Sequence, residues 1–557
     1  MRRSSGNHQF RSTFAWTSTS DALFSAWTTT HAYKNAGQEA HGHFNMHSVL
    51  RITELVDLVL DHIDRPRDLY SVARTCKAFK ELSLDHLWRT QNTLDNIVQC
   101  LPPELWEMRA AQDTFGCHVH LSTEAKPSDW TVALTYSRRI RVLVVEESHR
   151  MPCSTVLEAI RVIGPSKLLP NLKDVRFCAT IHPYEDVFLL PTVRHLHLGD
   201  VQVPSLPATM DSAMNWERVI GMSLVSDPDE APAFVSSAMS TIAKMLQRIQ
   251  ILELDCISSE AFVHLARLPH LTALRFRTTM EDDALAELAQ ALFPALEHLS
   301  VHDTTLEYAS KIVNLLLPSS PIEGLNLETS PSTKEEAAAL YSAVASHINP
   351  ATLRTLVLGT SVELTDVIMP YAVDANLLDN FVVQASAIRP LLQFSGLEEL
   401  ALQPSAGFNL DCQLAWDMAR AWPNLTHLVL VSASRARISN PALRLSALQA
   451  FVHHSLNLVH LELDLDATYL PAKDELSLQS QKALRVLAVG ISPIRQPEPV
   501  AAFLRSIFPA TELSLPSESE WDLFEQMNGP LDVHGMEGRL FQRQWTKVAN
   551  LLKAGLD

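Results

Sequence analysis

IQILELDCISSEAFVHLARLPHLTALRF, residues 249–276, holds one complete unit of the pattern that organises most of this chain. It opens with apolar-x-x-apolar-x-apolar at Ile249-Leu252-Leu254 and closes with the same motif at Leu271-Leu274-Phe276. Alternation with a period of two predicts a short strand with one buried face. Between the motifs, Ala261 to Leu268 reads as an amphipathic helix, and Pro269 stops it because proline lacks the N–H that a helix needs to continue.

On either side the motif returns at Leu172-Val175-Phe177, Val193-Leu196-Leu198, Leu296-Leu299-Val301, Ile322-Leu325-Leu327 and Leu353-Leu356-Leu358. It continues at Leu397-Leu400-Leu402, Leu425-Leu428-Leu430, Leu458-Leu461-Leu463 and Leu484-Leu487-Val489. Weaker copies are Ile140-Leu143-Val145, Val219-Met222-Leu224 and Ala510-Leu513-Leu515. Spacings run from 21 residues (Leu172 to Val193) to 44 (Leu353 to Leu397), which suits a strand and a returning helix. Further helices are expected over Asp283 to Phe293, Glu307 to Leu317, Lys334 to His347 and Val500 to Phe508. No single unit can bury its own apolar faces. Stacking does so, at about 1.5–3 kcal/mol per buried Leu-sized side chain.

The pattern resembles a leucine-rich repeat solenoid of the irregular, long-repeat kind, with repeat lengths that wander and an Asn/Cys ladder position that is rarely filled. A doubly wound α/β domain also alternates strand and helix, but one signature shared along the chain fits a repeat better. Residues 521–557 depart from the motif. There Trp545, Val548, Leu551 and Leu552 read as a closing helix over the last repeat.

Upstream, LRITELVDLVLDHIDRPRDLYSVARTCKAFKELSLDHLWR, residues 50–89, reads as three short helices. Leu55, Val56, Val59, Leu60 and Ile63 recur at helical spacing, with Thr53 as the expected cap. Pro66 suits the start of the second helix, whose apolar stripe is Leu69, Val72, Ala73, Cys76 and Phe79. Leu84, Leu87 and Trp88 end the third. This run resembles an F-box through Ile52, Glu54, Leu55, Val56, Val59, Leu60, Ile63, Asp68, Leu69, Val72, Cys76, Leu87 and Trp88. It departs from that pattern at Thr53, where the family has Pro, and at Phe79, where it has Trp. The alternative is an ordinary helical hairpin of an unrelated domain.

The resemblance implies an α/β solenoid in which a three-helix F-box precedes an irregular leucine-rich repeat horseshoe of βα units. The layout resembles fungal, basidiomycete-type F-box domain-containing proteins. Expected divisions are a tail at 1–45, the F-box at 46–92, a helical linker at 93–137, the solenoid at 138–520 and the capping helix at 521–557. By the resemblance, the F-box docks a Skp-family adaptor of a cullin-RING (SCF-type) ubiquitin ligase through Ile52, Leu55, Val59, Leu60, Leu69, Val72, Phe79, Leu87 and Trp88. The repeats then hold a protein substrate, in the cytoplasm, the nucleus or both. The alternatives are a leucine-rich repeat scaffold or inhibitor without ligase association, and an enzyme with its site in an inter-repeat loop.

Composition narrows the partners. A net charge of −18 counts against nucleic acid, and no apolar run reaches the roughly eighteen residues of a membrane span. Seven cysteines, scattered and odd in number, fit small buried residues of a reducing compartment better than a disulfide framework or a metal cluster. Residues 1–45 are rich in Ser, Thr, His, Gly and Asn and lack a sustained apolar period, so a disordered tail or frame extension is expected. No G-x-S-x-G, H-E-x-x-H, P-loop or dinucleotide fingerprint occurs, so no catalytic residue, cofactor or metal site is assigned. Strand alternation sends Ile251, Glu253 and Asp255 to the face opposite Leu252 and Leu254, the concave surface of a solenoid. The same offsets place His195, His197, Arg275, Arg277, His298, His302, Asn326, Glu328, Glu399, His427, His460, Glu462 and Asp464 there as a substrate face, with Arg275 and Arg277 as a basic island.

Overall fold

The computed structural model describes residues 52–110, 117–145, 153–177, 184–201, 206–226, 232–277, 293–360, 380–433, 441–471, 479–490, 492–515 and 533–554. The expected tail at 1–45 lies outside them, as do most of the helix expected at Asp283 to Phe293 and the segment 521–532.

Three helices open the described chain: α1 (Thr53–Leu60), α2 (Pro66–Ala73) and α3 (Lys77–Arg89). Pro66 takes the first position of α2, where its missing N–H costs nothing. Thr53 does not cap α1. It is the first helical residue, and extended Ile52 holds the cap position with no side-chain hydrogen bond. A small core of Val56, Leu60 and Leu69 forms between the helices, with Ile63, Val72, Phe79, Leu82 and Leu87 packed against it.

Beyond α3 a fifteen-stranded sheet runs through the described chain, every strand parallel to its neighbours and in chain order. A doubly wound sheet reverses strand order at a switch point, and this one does not. The motif maps directly onto register. Ile249 is buried just before its strand, Leu252 pairs with Met222 and Leu274, and Leu254 pairs with Leu224 and Phe276. Two buried apolar rows therefore cross the sheet side by side, and the return helices cover them. This is a solenoid-like arrangement in which each unit is stabilised by its neighbours.

Local chemistry sets the helix ends. Lys334–His347 matches expectation and carries a capping box between Thr333 and Glu336. Thr305 caps Leu306–Leu315 through the Tyr308 N–H, and extended Leu316 ends that helix earlier than the apolar pattern suggested. The helix expected from Val500 begins at Pro497, again a proline in the first turn.

The division at 93–137 needs correction. The sheet already begins at Thr90–Gln91, which pairs with Val142–Leu143. What was expected to be a helical linker contains an antiparallel pair, Trp106–Ala110 with Cys117–Leu121, beside the helices Asp95–Val98 and Thr131–Ser137. Those residues fill the first unit and do not link two bodies.

At the far end, Val533–Lys553 forms the closing helix. Trp545, Val548 and Leu552 are buried, and the Trp545 indole N–H donates to the Ser492 carbonyl at 2.8 Å. Leu551, expected to be part of that buried set, is partly exposed instead, and its carbonyl accepts from Arg505.

Candidate functional site

One face of α1 has no cover among the described residues. Ile52, Leu55, Leu58 and Val59 are 46%, 39%, 57% and 58% exposed. At 100° per residue these four share one side of the helix, while Val56 and Leu60 point into the small core. An apolar strip of this kind is costly on a solvated surface unless a partner covers it.

The nine expected docking residues therefore separate into groups. Ile52, Leu55 and Val59 are available to a partner. Leu60 and Leu69 are core, and Val72, Phe79 and Leu87 are half-buried against that core, so their part is structural support. Trp88 is buried in the main solenoid core, its ring stacked on Tyr136 at 5.0 Å. Leu58 was missed at the sequence level, although its spacing from Leu55 is helical.

The three-helix unit meets the first repeat at α3. Arg139 donates to Glu81 and Asp85 of α3, and its hydrogen bond holds the Glu81 carboxyl below the ordinary range, against desolvation. Within the unit, His86 lies 2.6 Å from Asp57, and Arg89 lies 3.1 Å from Asp61.

The sheet face opposite the return helices carries the expected polar residues. His195 bonds Asp174 at 2.6 Å, and burial lowers the pKa of His197, with Arg176 adding to the effect and Glu253 opposing it. Asp255 accepts from the Ser226 hydroxyl at 2.7 Å. The His298 ring lies against Gly324, where a Cβ would come 2.5 Å from Nδ1, so the missing side chain makes room for the imidazole. His427 and His460 stack at 5.9 Å, and His460 stands 3.7 Å from Glu462.

Mid-sheet, a chain of contacts crosses five strands. Ser223 donates to Glu253 at 2.7 Å, and Glu253 faces Arg275 at 3.4 Å. The Arg275 Nε–H lies 3.1 Å from His302 Nε2, and His302 Nδ1 is 2.6 Å from Glu328. The basic island expected of Arg275 and Arg277 is thus neutralised, since Arg277 faces Asp303 at 3.6 Å. Asp303 could not be read in advance as part of this face. A bulge between Val301 and Thr304, with Asp303 at a φ of 51°, turns it outward beside His302.

Burial pushes the Asp464 carboxyl up to about 7, with Glu462 adding to the shift and a hydrogen bond from the Ser432 backbone opposing it. The unfolded chain titrates this group near 3.9, so between those values the folded state holds a proton that the unfolded state lacks. That contribution to stability is present in acid and is lost as pH rises toward 7. Asp464→Asn is accordingly expected to raise the urea midpoint at about pH 8 and to lose that advantage at about pH 4. Equal midpoint shifts at both pH values would show that this carboxyl is not protonated in the fold.

Among the described residues no group of three or more His, Cys, Asp or Glu side chains is placed to hold a metal ion. Nor is any helix among them long and apolar enough to cross a membrane.

Comparison with known proteins bears on the three-helix unit. A search of curated proteins found no match to the chain. The family model described as F-box-like matches residues 53–93, which cover α1 to α3 and the first strand. Domains of that family typically bind Skp-family adaptors in cullin-RING ligases and serve substrate recognition. The chain carries an F-box-like domain at the head of a large parallel-strand, solenoid-like α/β region.

Proposed function

We propose that this chain is the substrate-recognition subunit of an SCF-type ubiquitin ligase. The carrying observation is the uncovered apolar strip of Ile52, Leu55, Leu58 and Val59 on an F-box-like domain fastened to a broad polar sheet. The strip takes a Skp-family adaptor and, through it, a cullin. The sheet is that of an irregular leucine-rich repeat of fungal type, and its polar face holds a protein substrate in the cytoplasm or nucleus. In this reading the chain positions the substrate and needs no cofactor.

Arg275 and Arg277 supply planar donors suited to carboxylate or phosphate groups of a substrate, which would displace Glu253 and Asp303. Glutamine at both positions removes the charge without setting new carboxylates against those two. Arg275→Gln with Arg277→Gln is expected to reduce co-purified substrates several-fold by mass spectrometry, with adaptor recovery unchanged. Equal substrate yield would exclude this face as the recognition surface. If the unaltered chain recovers neither adaptor nor cullin, the reading as a repeat scaffold or inhibitor stands instead.

A further inference from the structure

On the polar face of the sheet, Ser300 Oγ lies 2.8 Å from His302 Nε2, and His302 Nδ1 lies 2.6 Å from Glu328 Oε2. A carboxylate can only accept, so Nδ1 carries the proton and the Nε2 lone pair faces two donors, the Ser300 hydroxyl and, slightly farther away at 3.1 Å, the Arg275 Nε–H, which has to give way for Nε2 to take the serine proton. Strand alternation puts Ser300 and His302 on one face two residues apart, and the parallel register brings Glu328 alongside from the next strand. The His302 side chain is only 14% exposed, so its ring is held in place between its partners, whereas Ser300 is half-buried on the polar face of the sheet. The hydrogen bond from His302 holds the Glu328 carboxyl below the ordinary range against desolvation, with Arg277 and Arg275 adding to the effect.

We propose that Ser300, His302 and Glu328 form a nucleophile, general base and orienting carboxylate able to accept an acyl group from a small activated ester. This inference goes beyond substrate recruitment and does not depend on it. Ser300 Oγ attacks the acyl carbon while its proton passes to His302 Nε2. The C–O bond to the alcohol breaks as Nε2 returns that proton to the departing oxygen. Water, deprotonated at the same nitrogen, then attacks the acyl-serine and releases the acid, restoring Ser300. The strand neighbours of Ser300 in register are Arg275 and Asn326, both able to donate to the oxygen that becomes negative. Protonation of Nε2 makes its contact with the Arg275 guanidinium repulsive, which favours moving that guanidinium toward the new anion.

The test uses the purified full chain without any partner. A fluorophosphonate probe, which requires an activated serine, is expected to label the peptide containing Ser300, and p-nitrophenyl acetate to give a burst of nitrophenolate. Ser300→Ala removes both signals. His302→Gln slows labelling about a hundredfold, the low end of general-base assistance. Circular dichroism and thermal midpoints matching the unaltered chain show that both variants are folded. No adduct on Ser300, or equal labelling of folded His302→Gln, overturns the proposal and leaves these groups as a structural hydrogen-bond ladder. Adaptor and substrate capture are read separately, so failure here is distinct from failure of the ligase reading.

Discussion

Leu55→Asp together with Val59→Asp is expected to abolish capture of a Skp-family adaptor while leaving the thermal midpoint of the chain unchanged. Both side chains are exposed, Val59 at 58% and Leu55 at 39%, so carboxylates there stay hydrated in the folded monomer, and surface changes of this kind alter stability by roughly 0.5 kcal/mol or less. In a complex the same positions become covered. Each lost apolar contact weakens binding by about 1.5–3 kcal/mol, and each buried charge adds a penalty. Even the lower figure, taken twice, corresponds to at least about a hundredfold in affinity. Leu60→Asp does not make the same test. Leu60 is 3% exposed within a core of three buried residues, so a charge there unfolds the domain and loses binding for a trivial reason. Undiminished adaptor capture by the folded double variant would place docking on a different surface.

The strand rows were legible because one physical constraint repeats along the chain. Leu252 and Leu254 had to alternate with Glu253 and Asp255, and parallel stacking copies that offset from strand to strand. The face assignments of His195, His302 and Glu328 followed from the same rule. Their partners did not, because contacts across strands depend on register, bulges and side-chain reach. Asp303 faces outward only through a bulge and a left-handed backbone, neither of which has a periodic signature. The antiparallel pair Trp106–Ala110 and Cys117–Leu121 was missed although both runs alternate, because each is brief, lies outside the repeat motif and follows two prolines. In the F-box-like domain, helical spacing identified the apolar positions but could not separate core from docking surface. All of α1 except its polar edge is apolar, and only the placement of α2 and α3 decides which side remains open.

That placement rests heavily on Trp88, and Trp88→Ala is expected to destabilise the F-box-like domain by about 3–5 kcal/mol, the range for removing a large buried aromatic side chain. The domain has a small core of its own, and Leu87 and Trp88 carry α3 across into the core of the solenoid. Loss of the indole leaves Tyr136 without its stacking partner and opens a cavity at the junction. Arg139 does not compensate. Its partners Glu81 and Asp85 are largely solvated, so the ion pairs add little next to the ring, and Arg139→Met is expected to cost about 1 kcal/mol or less. The damage should stay local, because each strand beyond Gln91 is held by its own neighbours in the stack. Hydrogen exchange should therefore accelerate in α1 to α3 of Trp88→Ala while protection of the mid-sheet strands persists, and Trp88→Phe should recover most of the loss by keeping a ring against Tyr136. Uniform loss of protection along the sheet would mean that the domain and the repeats fold as one cooperative unit. Unaltered exchange in α1 to α3 would mean that the small core suffices without the solenoid.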